Sequence, residues 1–224
     1  MIVIPENLPH SLAPMAWMLG SWRGWGTANR PERSLVVDGD VQIIGSLMRM
    51  RWRFFEVGDA AALDPETPAL DGAAALTPRC LAWEETQYWR LAEDSPMATT
   101  RQSTSLPSAL VRITAADSRG FSPLWAGQIH GPRAQLRIDT LAREAKAPTV
   151  EAGESLYGLV NSDLFFTTSL VVSGAASITS ARVARVGDPI LICPAEDTRS
   201  HRPDTHSGGD AARPHHDDTE RENR

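Results

Sequence analysis

Apolar and polar residues alternate in short runs along most of this chain, the period-two signature of half-buried strands. Between 46 and 57, Leu47, Arg49, Arg51 and Arg53 share one face while Met48, Met50, Trp52 and Phe54 share the other. The simplest reading is a solvated arginine face over an apolar interior; a sharper one has these arginines lining a pocket for an anionic ligand. Similar strand-like runs occupy 80–92, 99–105, 109–115, 124–130, 134–141, 155–160, 163–172 and 178–186. The run 35–44 is interrupted at Asp38-Gly39, a tight-turn signal that also serves a bulge. Short strands between turns leave no room for βαβ units. The pattern predicts an all-β fold, an antiparallel up-and-down barrel of about ten strands.

Three segments depart from the alternation. The apolar stretch 12–19 predicts a short N-terminal helix capping one barrel end. Residues 58–78, rich in Ala, Pro, Asp and Gly, form an insertion longer than ordinary hairpin connections, read as a disordered loop with a binding lid as the alternative. From Pro194 onward no aliphatic residue larger than Ala and no aromatic beyond histidine occurs, so the segment cannot bury enough surface to offset chain entropy. The expected organisation is therefore a barrel domain over 1–192 and a disordered polar tail over 193–224.

Composition and charge mainly exclude. A net charge of −6 with a single lysine, Lys146, argues against a nucleic-acid surface. No run of about eighteen apolar residues could span a membrane. The start, Met1-Ile-Val-Ile-Pro5, has no signal-peptide character, so a cytoplasmic location is expected. Two cysteines, Cys80 and Cys193, do not define a disulfide framework. No P-loop, G-x-S-x-G elbow or dinucleotide-binding glycine run is present. The histidines His201, His206, His215 and His216 fit no closed zinc pattern, and no metal site is expected. Adjacent Glu84 and Glu85 point to opposite faces of a strand and make no carboxylate pair with each other.

One motif carries more. Gly20, Trp22, Gly24 and Gly26 read as G-x-W-x-G-x-G at the entrance to a first strand. A glycine there permits a sharp turn, the indole plugs the closed barrel end with its N–H free to find a carbonyl, and alternate glycines admit a neighbouring backbone. The segment 11–26 resembles the opening of the nitrobindin family, small β-barrels related in shape to fatty-acid-binding proteins. Further similarity lies in Glu85-Thr86-Gln87-Tyr88-Trp89-Arg90, in spaced positions between Val111 and Ala147, in Leu156-Tyr157-Gly158-Leu159-Val160, and in Ser180 to Val186.

Haem-binding nitrobindins carry a histidine shortly before the final Ser-Ala segment, and its imidazole ligates ferric haem iron. Aligning Ser180-Ala181 on that segment puts Ile178 at the ligand position, and an alkyl group has no lone pair for iron. Ser177 and Thr179 offer only hydroxyls, and no histidine occurs between His10 and His130. The resemblance thus implies a nitrobindin-like barrel without the usual proximal histidine, with no cofactor and haem disfavoured. The leading functional expectation is a carrier of a small apolar or amphipathic molecule, leaning away from an enzyme, with Trp22 and Tyr157 as candidate pocket residues. Two alternatives stand beside it: a ferric-haem protein isomerising peroxynitrite through a substitute ligand, and a filled barrel acting as an interaction scaffold for a protein partner.

Overall fold

The structure is a computed structural model that describes residues 8–58, 63–93, 108–188 and 191–193. Ten long strands follow one another: β1 (Gly20–Asn29), β2 (Glu32–Ile44), β3 (Leu47–Val57), β4 (Pro78–Leu91), β5 (Ser108–Asp117), β6 (Phe121–His130), β7 (Arg133–Arg143), β8 (Val150–Val160), β9 (Asp163–Val172) and β10 (Ala175–Gly187). Each pairs antiparallel with its sequence neighbour, and β1 pairs with both β2 and β10, which closes the ring. A short β11 (Leu191–Cys193) lies parallel to the end of β2. The strand alternation therefore did specify a closed up-and-down barrel. The run expected at 99–105 lies outside the described residues, as do all positions after Cys193.

A 3-10 helix, His10–Met18, precedes the barrel and buries Leu12, Met15, Trp17 and Met18 against the interior beside β3 and β4. The chain then enters β1 through Gly20 at φ 125°, a conformation open to glycine and strained for other residues. Trp22 follows, 1% exposed, and its Nε1 donates to the Met18 carbonyl at 2.8 Å. The indole thus ties strand to helix. Gly24 and Gly26 face β10 so closely that a Cβ would meet the Arg182 carbonyl oxygen at 2.0 Å and that of Ser180 at 2.4 Å. The glycines of the motif set the closeness of the β1–β10 seam.

Two sequence expectations are corrected. Asp38-Gly39 neither turns nor breaks the strand: β2 is continuous through it. Gly39 is there for Trp52, directly opposite on β3, whose ring would lie 1.9 Å from an added Cβ. The insertion is also more than a disordered loop. It contains α1 (Ala69–Ala75), which buries Ala69, Gly72 and Ala73. Gly72 admits the Trp25 ring, and Trp25 Nε1 donates to the Thr67 carbonyl at 3.3 Å. Arg182 of β10 donates to the Glu66 and Thr67 carbonyls from the same side. Tertiary contact with an outward tryptophan holds a seven-residue Ala/Gly helix that would be marginal alone.

The arginine face of β3 is outward, as its simplest reading requires. Arg51 pairs with Glu84 at 2.5 Å, Arg49 approaches Asp40 at 3.9 Å, and Arg23 on neighbouring β1 meets Asp38 at 2.9 Å. Such half-exposed pairs contribute little each, about 0–1 kcal/mol. They tie the arginines to carboxylates on neighbouring strands.

Candidate functional site

Inward positions divide the barrel into two ends. Near the 3-10 helix the filling is apolar, with Met48, Met50 and Trp89 fully buried. At the opposite end, where β3 and β5 finish and β4, β6 and β10 begin, polar groups turn inward. There a chamber of about 20 Å³ is walled by Trp52, Phe54, Trp83, Tyr157 and Phe166 and edged by Glu85, Arg119, Thr168, Ser177 and Thr179. The walls are in ring contact: Phe54 stacks on Trp83 with centroids 4.3 Å apart, and Phe166 lies 4.8 Å from Trp52 and 5.5 Å from Tyr157.

Strand register makes the polar edge. Trp83, Glu85, Gln87 and Trp89 alternate on one face of β4, and Asp117 ends the inward row Val111, Ile113, Ala115 on β5. Antiparallel pairing sets Glu85 directly opposite Asp117. Asp117 is neutralised locally: its carboxylate accepts Arg119 Nε at 2.9 Å, Arg119 Nη2 at 2.7 Å and the Arg119 backbone N–H at 2.8 Å. The same guanidinium lies over Trp83 at 4.7 Å and Phe121 at 4.9 Å, strapping the chamber's mouth. Glu85 receives a hydrogen bond from Gln87 Nε2 at 3.0 Å, a neutral donor. Burial, together with the Asp117 carboxylate, pushes its carboxyl up to about 7, against weaker opposition from Gln87 and Arg119.

Gln87 joins this edge to the deeper interior. Its amide also donates to Tyr157 Oη at 3.3 Å, while its carbonyl accepts Trp89 Nε1 at 2.8 Å. Burial and the neighbouring Glu85 push the Tyr157 phenol far above its ordinary value, so it stays a neutral hydroxyl. Trp52, 1% exposed, interacts through its indole N–H with the Tyr157 hydroxyl, short of a well-formed hydrogen bond. Among the described residues Trp17 Nε1, Trp125 Nε1 and Arg185 Nη1 also lack partners, and none of them lines this chamber.

The sequence-predicted residues fall in different places. Tyr157 lines the chamber and Trp22 does not; the two are not brought into one pocket. Ile178 is on the outer face of β10, 38% exposed, whereas Ser177 and Thr179 face inward. A histidine at 178 in this register would point to solvent, which corrects the assignment of Ile178 as the vacant ligand position. His10 and His130, the imidazoles among the described residues, are both exposed. Sequence reasoning missed Glu85, Asp117, Arg119 and Trp52 as a group. Inward polar residues in the W-E-E-T-Q-Y-W and A-A-D runs were the available signal.

Fold and site together define a closed, helix-plugged β-barrel with a small polar–aromatic chamber at its free end. The family profile described as a THAP4-like, haem-binding β-barrel domain matches residues 64–185. A ferric nitrobindin-like protein of Beutenbergia cavernae is 31% identical over 212 residues, covering 82% of this chain and 98% of that one. A protein named peroxynitrite isomerase from Kocuria rhizophila is 27% identical, covering 83% and 95%. The crystal structure of Rv2717c from M. tuberculosis superimposes with a TM-score of 0.59 at 16% identity, over 80% of this chain and 99% of that one. The chain belongs to the nitrobindin family, the haem-binding barrels of this profile.

That membership corrects the expectation of a protein with no cofactor: the family is a haem-binding one. The fit of the group to the residues present is a separate, geometric matter. Both described imidazoles lie on the surface, and the chamber holds about one water. The inward residues, as they are packed, do not fit a haem held by an interior imidazole.

Proposed function

We propose that this chain is a small-ligand carrier built on the nitrobindin barrel, its site the chamber opposite the N-terminal helix. The observation that carries the reading is the wall itself: aromatic faces converge on a carboxyl that accepts a hydrogen bond from the Gln87 amide. An apolar lining with a few convergent polar groups is how ligand pockets orient small molecules. The occupant is amphipathic and short, because Phe54, Trp83 and Phe166 leave space for little more until the Arg119 strap swings aside. Peroxynitrite isomerisation, the activity named for several relatives, would require haem in this barrel.

A second reading, the filled barrel as an interaction scaffold, is favoured by the same small volume. Titration of the full chain separates the possibilities. Saturable tryptophan quenching by short amphipathic compounds supports the carrier; no response from any of them favours the scaffold. A stoichiometric Soret shift with haemin would overturn both and return haem chemistry to this barrel.

A further inference from the structure

Two carboxyls and one guanidinium meet at the chamber's mouth. Glu85 on β4 and Asp117 on β5 are direct partners across the sheet, an arrangement in which like charges repel. One cation stands between them. Arg119 holds Asp117 through Nε at 2.9 Å and Nη2 at 2.7 Å, and its charge reaches Glu85 more weakly, while Glu85 itself accepts from the Gln87 amide at 3.0 Å. The hairpin that carries Arg119 is pinned to β4: the Ser118 N–H donates to the Glu84 carbonyl at 2.9 Å, and the Glu84 N–H donates to Ser118 Oγ at 2.9 Å. The Arg119 side chain, 34% exposed, crosses the rings of Trp83 and Phe121 at 4.7 and 4.9 Å. The backbone is therefore fixed, and the guanidinium is the part that can change partner.

We propose that Glu85, Asp117 and Arg119 form a proton-operated latch on the barrel's free end. With Glu85 protonated, Arg119 stays on Asp117 and covers Trp83. With Glu85 ionised, two facing carboxylates share a single counter-charge, which draws the guanidinium inward between them, out of its place over the rings, and lets water reach Trp83. Burial and the Asp117 carboxylate raise Glu85 to about 7, so the latch works around neutral pH, closed on the acid side and open on the alkaline side. The other groups near Glu85 do not titrate with it. Tyr157 from β8 stays a neutral phenol, and Arg33 from β2, 5.4 Å from the Trp83 centroid, is paired with Glu56. β3, β9 and β10 present only uncharged side chains to the chamber. The latch governs access to the chamber and holds whatever the chamber carries.

Labelling the full-length protein with 5-fluorotryptophan gives each indole a fluorine signal, with Trp83 and Trp22 assigned through Trp83→Phe and Trp22→Phe. On raising the pH through neutrality the Trp83 signal is expected to follow one titration with a midpoint near 7, its shift between H2O and D2O at least doubling as water reaches the ring. Trp22, at the helix end, should hold still. Glu85→Gln, equal in shape and neutral, should keep the Trp83 signal at its acid position throughout. Asp117→Asn, which leaves Arg119 to Glu85 alone, should lower the midpoint by about one pH unit or more. A Trp83 signal that does not titrate in wild type, or that titrates alike in folded Glu85→Gln, overturns the latch. So does Trp22 moving in step with Trp83, the mark of a loosening of the whole barrel. If Glu85→Gln does not fold, the Asp117→Asn midpoint decides, and an unchanged value overturns the proposal; if neither variant folds, the wild-type comparison of Trp83 with Trp22 decides alone. The carrier reading stands or falls separately, on the ligand titration.

Discussion

The two ends of this barrel are built from similar residues and serve opposite ends. Around the 3-10 helix, Trp22 gives its N–H to Met18 at 2.8 Å and Arg185 lies over the Trp22 ring at 4.4 Å while donating to the Trp17 carbonyl at 3.1 Å. Helix, first strand and last strand are joined there, and the inward side chains are mostly aliphatic or Met. At the free end, Trp52 occupies a comparable inward position with its N–H beside the Tyr157 hydroxyl and near a carboxyl that burial holds partly protonated near neutrality. The Trp22 indole anchors strand to helix, whereas the Trp52 indole shares its wall with a titratable group.

The largest expected effect breaks the anchored end. Trp22→Ala removes a fully buried indole and its link to the helix, and should cost about 3–5 kcal/mol in denaturant unfolding. A loss below about 1 kcal/mol would show that the helix end is not the anchor. The next tests the free end through pH. Because the Glu85 value is raised from 4.5 to about 7 on folding, its protonated form favours the fold: that contribution is complete below about 4.5 and is lost as pH rises through about 7. Wild type should therefore lose up to about 3 kcal/mol relative to Glu85→Gln across that window, seen as converging then crossing stability curves. Parallel curves would remove the buried carboxyl from the account.

Arg119→Ala should cost about 2 kcal/mol, less than a fully buried pair because the guanidinium is 34% exposed, by leaving the Asp117 carboxylate without its cation. The same variant should raise the accessibility of Trp83 to a collisional quencher, since the strap across its face is gone. The smallest effect belongs to Ile178→His. Facing outward, it should change stability by less than about 0.5 kcal/mol and leave the haemin difference spectrum as in wild type. A new Soret band in that variant would mean the register of β10 is shifted by one residue.

The barrel was legible because strand alternation and the G-x-W-x-G-x-G run are local: each inward row can be read without knowing its neighbours. Gly39 was misread for the opposite reason. Its role depends on a Trp52 ring across the β2–β3 pair, and a glycine accommodating a distant side chain looks in sequence like a glycine making a turn. α1 was missed since its stability comes from Trp25 and Arg182, neither near it in sequence. Glu85 and Asp117 were each visible as inward polar residues, yet their pairing depends on the β4–β5 register, set across a connection that alternation does not span. The resemblance placed the family correctly, while Ile178, the position it aligned with the ligand, faces outward on β10, and alternation inverts with a single-residue offset.

The closure of β1 on β10 has a consequence in time. Trp22 and Trp25 leave the ribosome early, but their strand partners, Arg185 and Arg182, are among the last residues of the barrel to be made. Until then β1 has only β2 to lean on, and the seam where Gly24 and Gly26 leave no room for a Cβ stands open. A newborn chain of this kind completes itself in one late step, when its final strand zips between the first and the ninth. Synthesis halted before β10 would leave nine strands and an exposed glycine edge suited to pairing with whatever strand arrives first.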